Sequence, residues 1–214
     1  MVDNEGMSTA TKSLDEIDAE IAALQQAVES AKQEVVKARR LRPTESVENY
    51  ALRRSTGELV TLSELFGTQD DLILIHNMGK GCVYCTLWAD GFIGFYPHLA
   101  NRAAFVVASP DPPVVQKAFA DSRGWTFPMV SMEGTTMNQD LGFYTAEGEH
   151  PGNWPGVSTF RKLPDGTIVR VNKAIFGPGD DFCALWPLFD LLEGGAGQWE
   201  PEFSYPVKGS EVKA

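Results

Sequence analysis

The sequence predicts an α/β fold, with a central mixed β-sheet flanked by helices, and an N-terminal helical extension. Short apolar runs alternate with helical segments over residues 72–130, a pattern typical of parallel strands joined by helices. Pro164-Asp165-Gly166 then separates two further apolar runs, which indicates a β-hairpin. The chain has 214 residues, 43% of them hydrophobic, which is enough for one sizeable core and an appendage.

The N-terminal region predicts a helical arm. We expect residues 1–12 to be disordered because they are polar, and a capping box formed by Ser13 and Glu16 to begin an amphipathic helix spanning 13–45. Apolar side chains recur there every three or four positions, at Leu14, Ile17, Ile21, Leu24, Val28, Ala31, Val35 and Ala38. This heptad stripe predicts a homodimer, or contact with another partner, through the arm. A helix docked on its own domain explains the stripe nearly as well.

The main domain is predicted over residues 46–205, followed by a loose tail at 206–214. Its expected elements are a hairpin (50–60), a short capped helix (61–67), strands at 72–76, 105–108 and 126–130, helices after Cys82 and at 113–122, a hairpin (157–171) and a closing helix (182–192). Right-handed crossovers place strand 72–76 centrally, so the turn that follows it lies at the carboxyl edge of the sheet, where open α/β sheets carry their sites.

Cys82-Val83-Tyr84-Cys85 is the predicted site, because it follows a buried strand and a Gly/Lys turn. A helix N-terminus stabilises a thiolate, so Cys82 is predicted to be the attacking thiol and Cys85 the resolving one. Lys80 adds positive charge, and Tyr84 is predicted to line a substrate-contact surface. The alternative is that both cysteines are reduced and idle in the core.

The third cysteine and the three histidines give weaker evidence for a functional site. Cys183 lies among apolar residues and is predicted to be a core thiol, with a distant resolving role as the alternative. His76, His98 and His150 do not complete a metal-ligand pattern with the cysteine pair, so a metal site is the least favoured hypothesis. No glycine-rich phosphate fingerprint follows a strand, so we predict no cofactor.

The charge and hydropathy of the chain exclude some classes of partner. A net charge of −11 argues against nucleic acid and anionic membranes. No apolar run approaches the ~20 residues of a membrane span, and no secretory signal is visible, so a cytoplasmic protein is expected.

Several separated motifs resemble a bacterial family of unknown function whose members are usually labelled predicted dithiol–disulfide oxidoreductases or thioredoxin-like proteins. The matching residues are Arg39-Arg40 through Tyr50, Gly57 to Phe66, Cys82-x-x-Cys85 with Asp90, Gly124-Trp125, Asn138-Gln139-Asp140, Gly156-Val157-Ser158 with Phe160-Arg161, and Gly179-Asp180. The resemblance implies a thioredoxin-like fold with an N-terminal helical extension. It also implies thiol–disulfide exchange with a protein or small-molecule disulfide.

Two departures from thioredoxin itself keep a second function open. Thioredoxins place a cis-proline beside the dithiol, and the corresponding position here falls near Ser158, which becomes a weak candidate for substrate contact. The Val83-Tyr84 interior of the motif is also unlike that of strong redox catalysts. A non-catalytic interaction protein on a thioredoxin scaffold is therefore the alternative. Because the turn before Cys82 contains neither proline nor threonine, a peroxidatic cysteine is not expected.

Overall fold

A computed structural model describes residues 12–206. The chain divides into two compact units, and the boundary between them in the sequence lies between Pro43 and Thr44. The expectations for residues 1–12 and 206–214 therefore fall outside the described residues, apart from Lys12 and Pro206.

The first unit contains one long helix, α1 (Leu14–Leu41). The predicted capping box begins it: the Ser13 hydroxyl accepts the Glu16 N–H at 3.3 Å, and the Glu16 carboxylate accepts the Ser13 N–H at 2.7 Å. The Ser13 hydroxyl also donates to this carboxylate at 3.0 Å, and the Ser13 N–H together with this hydroxyl holds the pKa of Glu16 below its usual value. Acidic residues occupy the first turn and basic residues the last, as the helix dipole favours. None of the residues of α1 is buried.

The second unit contains an eight-stranded mixed sheet. Its strands are β1 (Glu45–Ser46), β2 (Ala51–Arg54), β3 (Leu59–Thr61), β4 (Asp71–His76), β5 (Ala104–Ser109), β6 (Met129–Ser131), β9 (Gly156–Lys162) and β10 (Ile168–Ile175). Across the sheet they lie in the order β1-β10-β9-β4-β5-β6-β2-β3. β4, β5 and β6 are parallel to one another, and the other pairings in this sheet are antiparallel. A separate small hairpin is formed by β7 (Tyr144–Thr145) and β8 (Gly152–Asn153).

The helices of this unit are α2 (Val83–Arg102), α3 (Pro113–Arg123), α4 (Met137–Asp140) and α5 (Leu185–Phe189), with a 3-10 helix at Leu62–Phe66. Alternate residues of the central strands enter two separate cores. Leu72 and Leu74 pack with Phe143 and Phe160 in one core, whereas Ile75 packs with residues of α2 and α5 in the other. The predicted mixed sheet with helices on both faces is therefore confirmed.

Some elements differ from the expectation. The closing helix is confined to Leu185–Phe189, and the third strand begins only at Met129, directly after a proline that lacks a ladder donor. β1 was not predicted, because two residues carry no periodicity. Among the described residues, no helix is both long and apolar enough to cross a bilayer.

Candidate functional site

The dithiol lies where the turn after β4 leads into α2, and hydrogen bonds of Asn77 hold that turn against the sheet. The Asn77 N–H donates to the Ala108 carbonyl at 2.8 Å, continuing the β4–β5 ladder by one residue. Its side-chain oxygen accepts the Gly79 N–H at 2.7 Å, and its amide nitrogen donates to the Cys85 carbonyl at 3.4 Å. Asn77 therefore joins the strand end, the turn and the first turn of α2.

Asp111, which follows β5, holds the same turn from the neighbouring loop. Its carboxylate accepts the Lys80 N–H at 2.8 Å and the Ser109 hydroxyl at 3.3 Å. Gly79 lies directly against this carboxylate and has φ +104°, a conformation that side chains rarely adopt; an added Cβ would lie 2.9 Å from a carboxylate oxygen. The turn therefore requires glycine at this position.

Replacing Gly79 with alanine is expected to destabilise the protein by about 1–3 kcal/mol, because the new Cβ enforces strain and displaces Asp111. Urea unfolding measures the loss. Gly81→Ala is the matched control, since Gly81 is in the same turn, has open space around it and does not have a positive φ. Equal stability of the two variants would contradict this account of the turn.

Cys82 is the N-cap residue of α2 and is partly exposed. Its Sγ accepts the Cys85 N–H at 3.0 Å, so the sulfur takes the place that a capping oxygen usually occupies. A hydrogen bond from the Cys85 thiol, with further help from backbone N–H groups, lowers the pKa of Cys82 to about 7, although burial opposes the shift. A large fraction of Cys82 is therefore thiolate at neutral pH.

Cys85 is the buried partner, with 2% of its surface exposed. Its Sγ accepts the Met78 N–H at 3.4 Å. The hydrogen bond to Cys82, burial and the negative charge of the Cys82 thiolate all raise the pKa of Cys85. The geometry thus separates one accessible thiolate from one shielded, protonated thiol.

The other predicted site residues are placed differently around the thiols. Lys80 is exposed, and Tyr84 is partly exposed with its ring 6.2 Å from that of Trp88. Ser158 is completely buried in β9, and its hydroxyl is hydrogen-bonded to His76, so it does not line an exposed surface. Cys183 lies in the core that contains Trp88 and Trp186, where burial raises its pKa.

Ser158, His76, Asn138 and Asn153 form a buried hydrogen-bonded chain, here called the His76 network, which the sequence did not reveal. Asn138 donates its amide N–H to Asn153 at 2.8 Å, so its oxygen faces His76 Nδ1 at 2.9 Å. Since that oxygen only accepts, Nδ1 carries the hydrogen, and Nε2 accepts the Ser158 hydroxyl at 2.9 Å. Burial, the largest effect, lowers the pKa of His76 to about 3, so the ring is neutral.

Phe143 completes the surroundings of His76, since the two rings stack with centroids 3.7 Å apart. The close approach depends on Gly156, where a Cβ would lie 2.5 Å from the Phe143 ring and 2.3 Å from the Ala174 carbonyl oxygen. Asn138 and Ser158, the hydrogen-bond partners of His76, are 62 and 82 positions from it in the sequence, so no local sequence pattern joins them to His76.

Several residues of the family motifs have structural roles. Asp90 on α2 accepts the Trp125 indole N–H at 2.8 Å and pairs with Arg123, which ties α2 to α3. Asp180 accepts the N–H groups of Gly177 and Phe182 at 3.0 and 2.8 Å and closes the loop before α5. These motifs therefore position elements rather than add chemistry beside the thiols.

Metal ligands do not gather around the dithiol. Within residues 12–206, no group of three or more His, Cys, Asp and Glu side chains is arranged to hold a metal ion. His98 and His150 are exposed on the surface, and both ring nitrogens of His76 are engaged in its network.

Several peroxiredoxins are among the solved structures that are similar to this chain. A PrxQ mutant from Xylella fastidiosa has a TM-score of 0.53 at 17% identity, covering 63% of this chain and 85% of its own. Peroxidoxin BcpB from Mycobacterium tuberculosis gives 0.48 at 24% identity, with 58% and 80% covered. Reduced Prx3 from Vibrio vulnificus, in complex with H₂O₂, gives 0.49 at 16% identity, with 64% and 88% covered. At 17% identity the likeness to the PrxQ structure shows only the fold, which is the predicted thioredoxin-like α/β fold.

Sequence comparison identifies the family. No curated protein sequence matches the chain. Residues 9–205 match the family described as "Bacterial protein of unknown function (DUF899)", which confirms the resemblance drawn from the motifs. The match spans nearly the whole chain and includes the cysteine pair, the Asn138 motif and the Gly156–Ser158 segment. The chain therefore belongs to the bacterial DUF899 family and has a thioredoxin-like fold with an N-terminal helical extension.

Proposed function

We propose that this protein is a thiol–disulfide oxidoreductase in which Cys82 is the nucleophile and Cys85 the resolving thiol. The observation that carries the proposal is the placement of Cys82 Sγ at the N-terminus of α2, where it accepts the Cys85 N–H at 3.0 Å and has a pKa of about 7. A thiol with a pKa near the ambient pH combines a high thiolate fraction with good nucleophilicity.

The reaction has two exchange steps. The Cys82 thiolate attacks one sulfur of a substrate disulfide, forming a mixed disulfide and releasing the other substrate sulfur as a thiolate. Cys85 then loses its proton to solvent and attacks Cys82 Sγ, which releases the second substrate thiolate and leaves a Cys82–Cys85 disulfide. Two electrons pass from the dithiol to the substrate, and a cellular thiol returns them by the reverse exchanges.

The electrostatics of the pair support this order. The thiolate on Cys82 is one of the causes that raise the pKa of Cys85, so Cys85 stays protonated while Cys82 is free. When Cys82 becomes part of a mixed disulfide, that negative charge disappears and Cys85 is easier to deprotonate. The resolving thiol is thus activated by the first step.

The proposed substrate is a protein or small-molecule disulfide that contacts the exposed rim of the turn, where Lys80 and Tyr84 lie. Ser158 takes no part in this contact, because its hydroxyl is buried in the His76 network. We place this chemistry in the cytoplasm, where cellular thiols keep such a dithiol reduced, and in a homodimer joined by the N-terminal helix.

The pH dependence of Cys82 alkylation tests the proposal. Iodoacetamide should modify Cys82 with a midpoint near pH 7, and the reduced protein should reduce a disulfide probe such as oxidised glutathione. Cys183→Ala is the control, because Cys183 is a cysteine buried in the core that contains Trp186. A midpoint near ~8.5, the value of an ordinary thiol, together with no probe reduction, would leave the non-catalytic scaffold as the function.

Hydrogen peroxide belongs in the same assay, because the PrxQ protein of Xylella fastidiosa shares the fold. We expect the disulfide probe to react and peroxide turnover to stay at the background rate, since the turn before Cys82 lacks proline and threonine. Rapid peroxide turnover that depends on Cys82 would replace disulfide exchange with peroxide reduction as the proposed reaction.

A further inference from the structure

Helix α1 exposes a continuous apolar stripe. Its six larger members, which are between 40% and 80% exposed, are Leu14, Ile17, Ile21, Leu24, Val28 and Val35. Ala31 and Ala38 continue the same three-and-four spacing, and they are exposed as well. A stripe of this length is typical of a helix that pairs with another helix.

The order of side-chain sizes along the stripe indicates what that other helix is. The first half contains leucine and isoleucine, and the second half contains valine and alanine. If two copies of α1 run antiparallel about a twofold axis near residue 26, each larger side chain faces a smaller one from the other copy. The facing pairs are Leu14 with Ala38, Ile17 with Val35, Ile21 with Ala31, and Leu24 with Val28. Facing large and small residues keep the distance between two helices constant along their length.

The charges of α1 favour the same arrangement. Residues 14–27 contain four acidic residues and no basic one, whereas residues 28–41 contain four basic and two acidic residues. A parallel pair would place the acidic half of one copy against the acidic half of the other. An antiparallel pair instead places each acidic half against a basic half.

Charged residues lie on both sides of the stripe. On one side, the antiparallel register brings Asp18 of one copy towards Lys32 of the other. On the other side it brings Glu20 towards Glu34, but each of these has a lysine partner on its own chain, Lys12 and Lys37 respectively. The like charges are thus partly neutralised before pairing.

We propose that α1 forms an antiparallel coiled coil with α1 of a second copy of this chain, so that the protein is a twofold-symmetric dimer. A closed twofold pair buries the whole stripe of both copies and leaves no further pairing face. The proposal rests on the homodimer of the proposed function and adds its orientation and register. It is independent of the thiol chemistry, because it uses no residue of the dithiol turn.

Light scattering of the full chain tests whether the dimer exists. The wild type is expected to have twice the chain mass of 23.4 kDa at tens of micromolar. Leu24→Lys, near the twofold axis, should give the monomer mass. Val36→Lys is the matched control, since Val36 is an exposed apolar residue on the same helix but outside the stripe, and this variant should remain dimeric. A monomeric wild type, or a dimer that survives Leu24→Lys, would overturn the proposal.

Cross-linking tests the orientation of the pair. In a chain with Cys82, Cys85 and Cys183 replaced by serine, Leu14→Cys and Ala38→Cys proteins are prepared separately and then mixed under mild oxidation. The antiparallel pair predicts that cross-linking occurs mainly in the mixture. Efficient cross-linking of either protein alone would show a parallel pair, and absence of cross-linking in all three samples would show that α1 does not pair with itself; either result would refute the proposal.

Discussion

Replacing Cys85 with serine is expected to arrest the protein as a covalent complex with its substrate. Cys82 still attacks a disulfide, because its position at the N-terminus of α2 and the backbone N–H groups around it remain. Without the Cys85 thiol, the mixed disulfide has no internal nucleophile to resolve it. Turnover should fall to the background rate, and a mixed disulfide should accumulate on non-reducing gels and in the intact mass spectrum.

Cys82→Ser is the informative comparison, because it removes the nucleophile and keeps the resolving thiol. We expect loss of turnover with no trapped complex, since Cys85 is buried and its pKa is raised. Cys183→Ala should retain turnover. If Cys82→Ser and Cys85→Ser trapped substrate equally well, the assignment of nucleophile and resolving thiol would be wrong.

The protein is expected to lose stability at mildly acidic pH because of His76. The pKa of His76 is about 3 in the folded protein, against 6.5 as the ordinary value for an exposed histidine. The unfolded chain therefore binds a proton at pH 5 that the folded protein does not bind. The free energy of unfolding should fall by about 2 kcal/mol between pH 7 and pH 5 and continue to fall towards pH 3.

Urea unfolding at pH 7 and pH 5 measures this loss. In His76→Gln the group that titrates is absent, so the variant should be less stable at pH 7 but lose much less between the two pH values. His98→Gln is the matched control, because His98 is exposed, and it should retain the wild-type pH dependence. Equal pH dependence in wild type and His76→Gln would show that His76 is already charged or accessible to water in the folded protein.

The sequence predicted the elements that have strong local patterns. The apolar run at Leu72–Ile75 identified β4, the Pro164-Asp165-Gly166 turn identified the β9–β10 hairpin, and the capping box identified the start of α1. In each of these cases a few neighbouring residues are enough to predict the element, because hydrophobic periodicity, turn residues and helix caps are local in the sequence.

The sequence did not predict contacts between residues that are distant along the chain. Asp111 reaches the Lys80 backbone across 31 positions, and the His76 network joins four elements of the domain, β4, α4, β8 and β9. The sequence predicts Ser158 to be a weak substrate contact, because it falls near the position of the thioredoxin cis-proline. Only the pairing of β9 with β4 shows that its side chain faces the interior.

His76 and Asn77 are successive residues at the end of β4, so their side chains leave the backbone in opposite directions. One holds α4 through Asn138, and the other holds the dithiol turn through Gly79 and Cys85. Hydrogen bonds thus hold the end of β4 on both faces of the sheet. Any rearrangement that accompanies oxidation of the cysteines should therefore stop at His76 and Asn77. We expect the change in backbone conformation to be confined to the residues between Met78 and Cys82, while the sheet keeps its conformation.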